Sequence, residues 1–290
     1  MRKMKTNTKS LLIGISPAPI GKDWCLERIR LADDLEQKLQ LPIYFYPNTW
    51  PRDELFVDCN TVKRYNPNDC RKYTHQAFHG GAFIPHKDIL IVSPYIAKKQ
   101  REKTAQKIGT KIAYEVPVPE LFSEVLREAE LPTPLKSTLA KWTNDTSKQH
   151  VDIVFNSTQN NLVTYDTTRC RQIGENIAKQ TQSKLLVVPK SEVQYASVGF
   201  ICINGITYVD ERAEQTMSQL ENAGERVKPI TPMPHTNNLL GSIRCATREL
   251  PFHLEEQEAY DVIPRGVNEY AYIRTLTGTY KALPNFSDLS

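Results

Sequence analysis

Four times along this 290-residue sequence a helical stretch runs almost directly into a short apolar strand, and that recurrence limits the fold more than any other feature. In residues 23–39, Cys25, Ile29, Ala32, Leu35 and Leu39 fall on one stripe, and the strand 42–46 follows at once. The order returns with a helix over 95–108 before a strand at 111–116. It returns again with a helix over 168–181, carrying Cys170, Ile173 and Ile177 inward, before 185–188. A fourth helix, 211–223, aligns Ala213, Met217 and Leu220 ahead of 227–230. Paired strands lie between these blocks: 151–155 with 162–165, and 199–203 with 206–209 across the turn dipeptide Asn204-Gly205. Each unit is therefore a hairpin, a helix and a returning strand. Repeating such a unit suits a closed radial arrangement in which each block buries a face against its neighbours. An open doubly wound sheet suits the alternation almost as well, and periodicity does not separate the two. No G-x-G-x-x-G or Walker loop follows any strand, which removes the usual nucleotide sites of such a sheet.

The chain is long enough for one large domain, 1–290, or two small ones, and either buries most of its apolar surface without disulfides or metals. One segment interrupts the pattern. Residues 116–143 carry Pro117, Pro119, Pro132 and Pro134 around a short helix, 120–130, and read as an insertion, a lid or a plain connector. The net charge of +4 is spread along the chain, so no nucleic-acid partner is expected. The densest basic run, Lys98, Lys99, Arg101, Lys103 and Lys107, has the spacing of a solvated helix face. The apolar runs have strand length, far below the roughly 20 residues that cross a bilayer, so no membrane span is expected. Leu11-Leu12-Ile13 is too short for the apolar part of a signal peptide, and a cytoplasmic protein is the expectation. The six cysteines form no C-x-x-C pair, which argues against a zinc knuckle or a disulfide framework and for mostly buried thiols.

Three further segments carry chemistry-bearing side chains. Trp50-Pro51-Arg52-Asp53-Glu54 follows the strand 42–46, and Pro51 forces a turn there. His150-Val151-Asp152 is expected on a strand, where the i, i+2 spacing sends both polar side chains to one face. Gly241-Ser242-Ile243-Arg244-Cys245-Ala246-Thr247 places Cys245 at a loop-to-strand transition late in the chain. Each has an ordinary structural explanation by itself: a capping aspartate, half-exposed strand residues, a buried thiol.

Taken together and in this order, Trp-x-Arg-Asp, Gly80-Gly81, His-x-Asp and Gly-x-x-Arg-Cys-x-Thr resemble the guanidine-modifying, or pentein, superfamily. That superfamily holds the arginine, agmatine and peptidylarginine deiminases, the dimethylarginine hydrolases and the amidinotransferases. The resemblance covers about residues 50–250 and implies an α/β-propeller of about five ββαβ-like modules around a central site. It assigns Cys245 as nucleophile, His150 as acid–base, and Asp53 and Asp152 as the carboxylates that grip the guanidinium. Trp50, Arg52, Gly81 and Arg244 are expected to line the substrate site, with Arg248 a further candidate for a substrate carboxylate. It implies no cofactor and no metal. Two positions depart from the family pattern: Ala82-Phe83 replaces the polar residue that often follows the double glycine, and Gly241-Ser242 stands for a Gly-Gly before the nucleophile.

These residue types suit the chemistry. A guanidinium is planar and cationic, so carboxylates at its N–H edges hold it, and a thiolate can then approach the central carbon from above the plane. Histidine can protonate the leaving amine and afterwards activate water. A small guanidino compound or a peptidyl arginine is the expected partner. Amidino transfer to an amine, and a non-catalytic binding protein of the same fold, remain alternatives; a papain-like hydrolase is disfavoured because Cys245 comes after His150.

Overall fold

The computed structural model describes residues 8–15, 22–46, 55–57, 62–64, 80–145, 150–238, 241–250 and 263–264. In chain order they form β1 (Ser10–Gly14), α1 (Lys22–Leu39), β2 (Ile43–Tyr46), β3 (Leu55–Val57), β4 (Val62–Arg64), β5 (Phe83–His86) and β6 (Ile89–Val92). Then come α2 (Lys98–Ile108), β7 (Ile112–Glu115), α3 (Val118–Glu128), α4 (Thr133–Asp145), β8 (Phe155–Ser157), β9 (Asn161–Tyr165), α5 (Thr168–Thr181) and β10 (Lys184–Val188). The chain continues through β11 (Ile201–Ile203), β12 (Ile206–Asp210), α6 (Glu214–Asn222), β13 (Val227–Ile230), α7 (Pro234–Asn237), α8 (Ile243–Ala246), β14 (Thr247–Leu250) and β15 (Ile263–Pro264).

The expected unit is present. In the sheets β5-β6-β7, β8-β9-β10 and β11-β12-β13, the first two strands pair antiparallel and the third returns parallel after a helix. The β11–β12 hairpin turns on Asn204 (φ 50) and Gly205 (φ 78). Two consecutive left-handed residues give the primed turn whose twist matches the strands it joins. A fourth sheet, β14-β1-β2-β15, has the same pattern in a permuted chain order: β1 and β2 run parallel around α1, and β14, from near the end of the chain, pairs antiparallel with β1. This pairing carries the short helix before β14 to its place, with Ile13 opposite Thr247. β3 and β4 form a two-stranded sheet. Among the described residues the pairings thus define five separate small sheets in a mixed α/β chain, and they do not show a closed propeller.

Burial follows the strand and helix periods. Leu11, Leu12 and Ile13 are fully buried in β1, at the centre of their sheet. On α1 Ala32 and Leu35 of the expected stripe are fully buried, and Ile29 and Leu39 pack partly buried against the same cluster. Trp24, Arg28 and Leu31 widen the buried face, with Arg28 4.4 Å over the Trp24 ring. Segment 116–143 is neither lid nor plain connector. It forms two helices, and α3 sends Val118, Leu121, Phe122, Val125 and Leu126 into the largest apolar cluster. The prolines open these helices, where a missing N–H is tolerated.

Buried carboxylates join one unit to the next. Glu124 accepts from Arg169 N at 3.3 Å at the start of α5. Glu192 accepts from Gln215 N (2.8 Å) and Thr216 N (3.0 Å) at the start of α6. Glu27, on α1, accepts from His235 N (2.7 Å) and Thr236 N (3.0 Å) in α7. Each satisfies N–H groups that a helix start leaves open. Cys170 and Cys245 are buried and Cys202 is exposed; all three are free thiols. No helix among the described residues is long and apolar enough to cross a membrane.

Candidate active site

His150 and Asp152 do not lie on a strand. Residues Val151–Ile153 form a single 3-10 turn, with His150 extended in front of it and Val154 N donating back to Val151 O at 3.0 Å. The pattern of burial explains the difference. Val151 and Val154 are both fully buried, a spacing of three that a 3-10 turn brings to one side and a pleated strand sends to opposite faces. The turn still brings the two polar side chains together: His150 Nδ1 is 3.6 Å from Asp152 Oδ1. Asp152 is 3% exposed, and among the described residues its Oδ1 has no hydrogen-bond partner. A buried carboxylate oxygen left open in this way is costly in a purely structural residue.

Gly81 presses on this pair from the turn Gly80–Ala82 that precedes β5. A Cβ there would lie 2.5 Å from Asp152 Oδ1, 2.5 Å from His150 Nδ1 and 2.8 Å from Asp152 Oδ2. Gly81 therefore has a steric cause, the close approach of backbone to the His150–Asp152 pair.

Cys245 lies on α8, a single helical turn that passes straight into β14, where a loop-to-strand transition was expected. Ile243 and Ala246 anchor the turn in the second apolar cluster. Ser242 opens it, its Oγ accepting from Cys245 N at 3.4 Å, and Arg244 N donates to Gly199 O at 3.0 Å. Cys245 Sγ stands 3.8 Å from Asp152 Oδ2 although the two are 93 positions apart. Arg244, expected at the substrate, has its Nε 3.6 Å from the same oxygen. One carboxylate thus faces a histidine on one oxygen and a cysteine and an arginine on the other. Arg248 lies on β14 opposite Leu12. Trp50, Arg52 and Asp53 lie outside the described residues.

A cavity of about 20 Å³, water-sized, opens beside these groups, bounded by Asp152, Cys245, Ser242 and Asn237 with Phe122 and Tyr165 on its apolar side. Burial pushes the Tyr165 phenol above its ordinary range, so the hydroxyl is neutral. Asn237 is held on both ends, donating to Gly241 O at 3.1 Å and accepting from Arg212 at 2.5 Å. Arg212 is fixed in turn by a bidentate pair with Asp210, at 2.9 and 2.7 Å. Reading the sequence missed Asn237, Ser242 and Gly199 as members of this site. The S-x-x-C spacing, a capping serine three residues before the cysteine, was the one signal that pointed to Ser242.

No protein-family model and no curated protein matches the sequence. Solved structures do match the fold. An agmatine deiminase of Enterococcus faecalis superposes with a TM-score of 0.56, at 10% identity, over 86% of this chain and 94% of its own. A dimethylarginine dimethylaminohydrolase gives 0.53 at 10% identity, over 84% of this chain and all of its own. An agmatine deiminase of C. jejuni gives 0.51 at 13%, over 86% and 95%. This is the fold of the pentein superfamily. At these identities the likeness is one of fold. The pentein fold here brings Cys245 to the His150–Asp152 turn, 93 positions earlier, so that the thiol and the histidine face one buried carboxylate.

Proposed function

We propose that this chain is a hydrolase of the deiminase type, acting on the guanidino group of arginine, a small arginine derivative or a peptidyl arginine. The observation that carries the reading is the sharing of the Asp152 carboxylate: His150 Nδ1 at 3.6 Å from one oxygen, Cys245 Sγ at 3.8 Å from the other, all three largely out of solvent. A carboxylate with an open oxygen beside a thiol suits a planar cation whose carbon must meet sulfur. In this scheme Asp53 supplies the second carboxylate, and the modules, about five of them, are arranged radially.

In this scheme the Cys245 thiolate adds to the central guanidino carbon, giving a tetrahedral adduct. The C–N bond to the departing amine breaks as His150 delivers its proton, leaving an S-alkylthiouronium on Cys245. His150 then takes a proton from water, the hydroxide adds to the same carbon, and the C–S bond breaks as the O–H proton of the adduct passes to the released amine or to solvent. The products are a ureido compound, ammonia or an amine, and the free thiolate. No step calls on a metal or a cofactor.

The test is a colorimetric screen for ureido product across free arginine, agmatine, methylarginines and an arginine peptide. Turnover of one substrate without added amine is expected, abolished in Cys245→Ser and reduced by about 10²–10⁴-fold in His150→Asn. Turnover only with an acceptor amine would assign an amidinotransferase. Absence of turnover together with no labelling of Cys245 by chloroacetamidine would assign a non-catalytic binding protein.

A further inference from the structure

From the contacts around Cys245 we infer that Ser242 is a further functional residue of the site, its hydroxyl serving as the hydrogen-bond donor that stabilises the Cys245 thiolate. The inference rests on the reading of Cys245 as nucleophile and adds a residue that the family pattern, with glycine at this place, does not supply.

The geometry is specific. Ser242 Oγ accepts from Cys245 N at 3.4 Å and lies 3.5 Å from Cys245 Sγ. A hydroxyl has one hydrogen and two lone pairs. The backbone N–H takes a lone pair, and among the described residues the sulfur is the only acceptor within reach of the hydrogen. Ser242 is 5% exposed, so solvent competes little for that hydrogen.

A second observation shows how closely residue 242 is packed. A Cβ on Gly199 would fall 2.2 Å from Ser242 Cβ and 2.4 Å from its Oγ, so the serine fits only because residue 199 has no side chain. Gly199 is fixed there by Gly199 N donating to Ala196 O (2.7 Å) and by Arg244 N donating to Gly199 O (3.0 Å). Gly199 and Ser242 thus form a matched small–polar pair against the turn that bears the cysteine.

Electrostatics supplies the need. Of the groups around the sulfur, the Asp152 carboxylate at 3.8 Å opposes a second negative charge at Cys245. Arg244, and His150 when protonated, each 3.6 Å from an oxygen of that carboxylate, act in the opposite sense. An O–H directed at the sulfur strengthens as the thiol ionises, because hydrogen bonds to a charged acceptor are the strong ones. A capping role alone predicts a different result. Removing a cap weakens the turn and leaves the ionisation of the thiol where it was.

The experiment follows the pH dependence of Cys245 alkylation by iodoacetamide, located by peptide mass spectrometry, in the full chain and in Ser242→Gly, Ser242→Ala and Ser242→Thr. Glycine is tolerated at a cap position almost as well as serine, so Ser242→Gly keeps the fold while deleting the donor, even if Ser242→Ala does not fold. In the deletion variants the midpoint of the profile is expected to rise by about one pH unit. On the acid limb the rate should fall only about threefold, since a more basic thiolate is intrinsically more reactive. Ser242→Thr, which retains a hydroxyl, should restore the midpoint. An unchanged midpoint in Ser242→Gly, with or without a lower melting temperature, would overturn the inference. The profile needs no substrate: a normal shift with no guanidino turnover sinks the proposed function and leaves Ser242 standing, and turnover with no shift does the reverse.

Discussion

Replacing Gly81 with alanine adds one methyl group at the point where backbone meets the His150–Asp152 pair. The new Cβ would lie 2.5 Å from both Asp152 Oδ1 and His150 Nδ1, against an ordinary contact of roughly 3.5 Å, so each side chain must retreat by about 1 Å. Asp152 has little freedom to do so, with Cys245 Sγ at 3.8 Å and Arg244 Nε at 3.6 Å on its other oxygen. Gly81 is not among the residues with positive φ, so alanine meets no backbone strain and even removes about 0.4–1 kcal/mol of unfolded-state entropy. Against that stands an overpacking cost of about 1–3 kcal/mol. The melting temperature should therefore change modestly, whereas a displacement of about 1 Å in reacting groups is enough for a loss of about 10²-fold. Chloroacetamidine, whose amidinium needs a carboxylate beside the thiol, reads the site without a known substrate. We expect its rate of reaction with Cys245 to fall by about 10²-fold in Gly81→Ala, and the rate of neutral iodoacetamide to fall by less than about tenfold. Amidine labelling within about threefold of the parent would refute the claim that this glycine sets the pair's position.

Two further expectations concern stability. His86 is buried against Ser183, its Nε2 2.9 Å from that hydroxyl, and burial, then Lys87, lowers its pKa to about 4. Between pH 6.5 and about 4 the unfolded chain takes up a proton that the folded chain refuses, so stability is full above this window and is lost as pH falls through it, by about 3 kcal/mol. His86→Gln should flatten denaturant titrations across these pH values, and a slope unchanged by the substitution would exclude His86 as its source. Asn156 donates to Val198 O (2.6 Å) and Phe200 O (2.9 Å), bracing the segment that carries Gly199. Asn156→Ala leaves both carbonyls open in the interior, which should cost about 2–3 kcal/mol and lower the melting temperature by roughly 5 °C; a change below about 1 °C would contradict this bracing role.

The repeating unit was legible because helices and strands bury side chains at different periods. The stretch 168–181 and the strand after it, or the Asn204-Gly205 turn, state their conformation locally. The same local logic misled at His150-Val151-Asp152, where alternation of polar and apolar residues reads as a strand. Val154, three residues after Val151, had to be known as buried before the turn could be seen. On α1 it missed only the extra width of the buried face, because Arg28 counts as polar in any periodicity and yet lies buried over the Trp24 ring.

By itself the sequence determined which residue types are present, in what order, and which blocks become helix or strand, because these follow from local backbone and side-chain preferences. Only the tertiary structure decided that β14 pairs with β1, which sets the Cys245 turn against a carboxylate 93 positions earlier. It alone decided that Gly81 and Gly199 matter for the space they leave, and that Ser242 faces the sulfur. The physical reason is common to all three. Contact between distant segments is fixed by how buried faces pack, and no local preference carries that information.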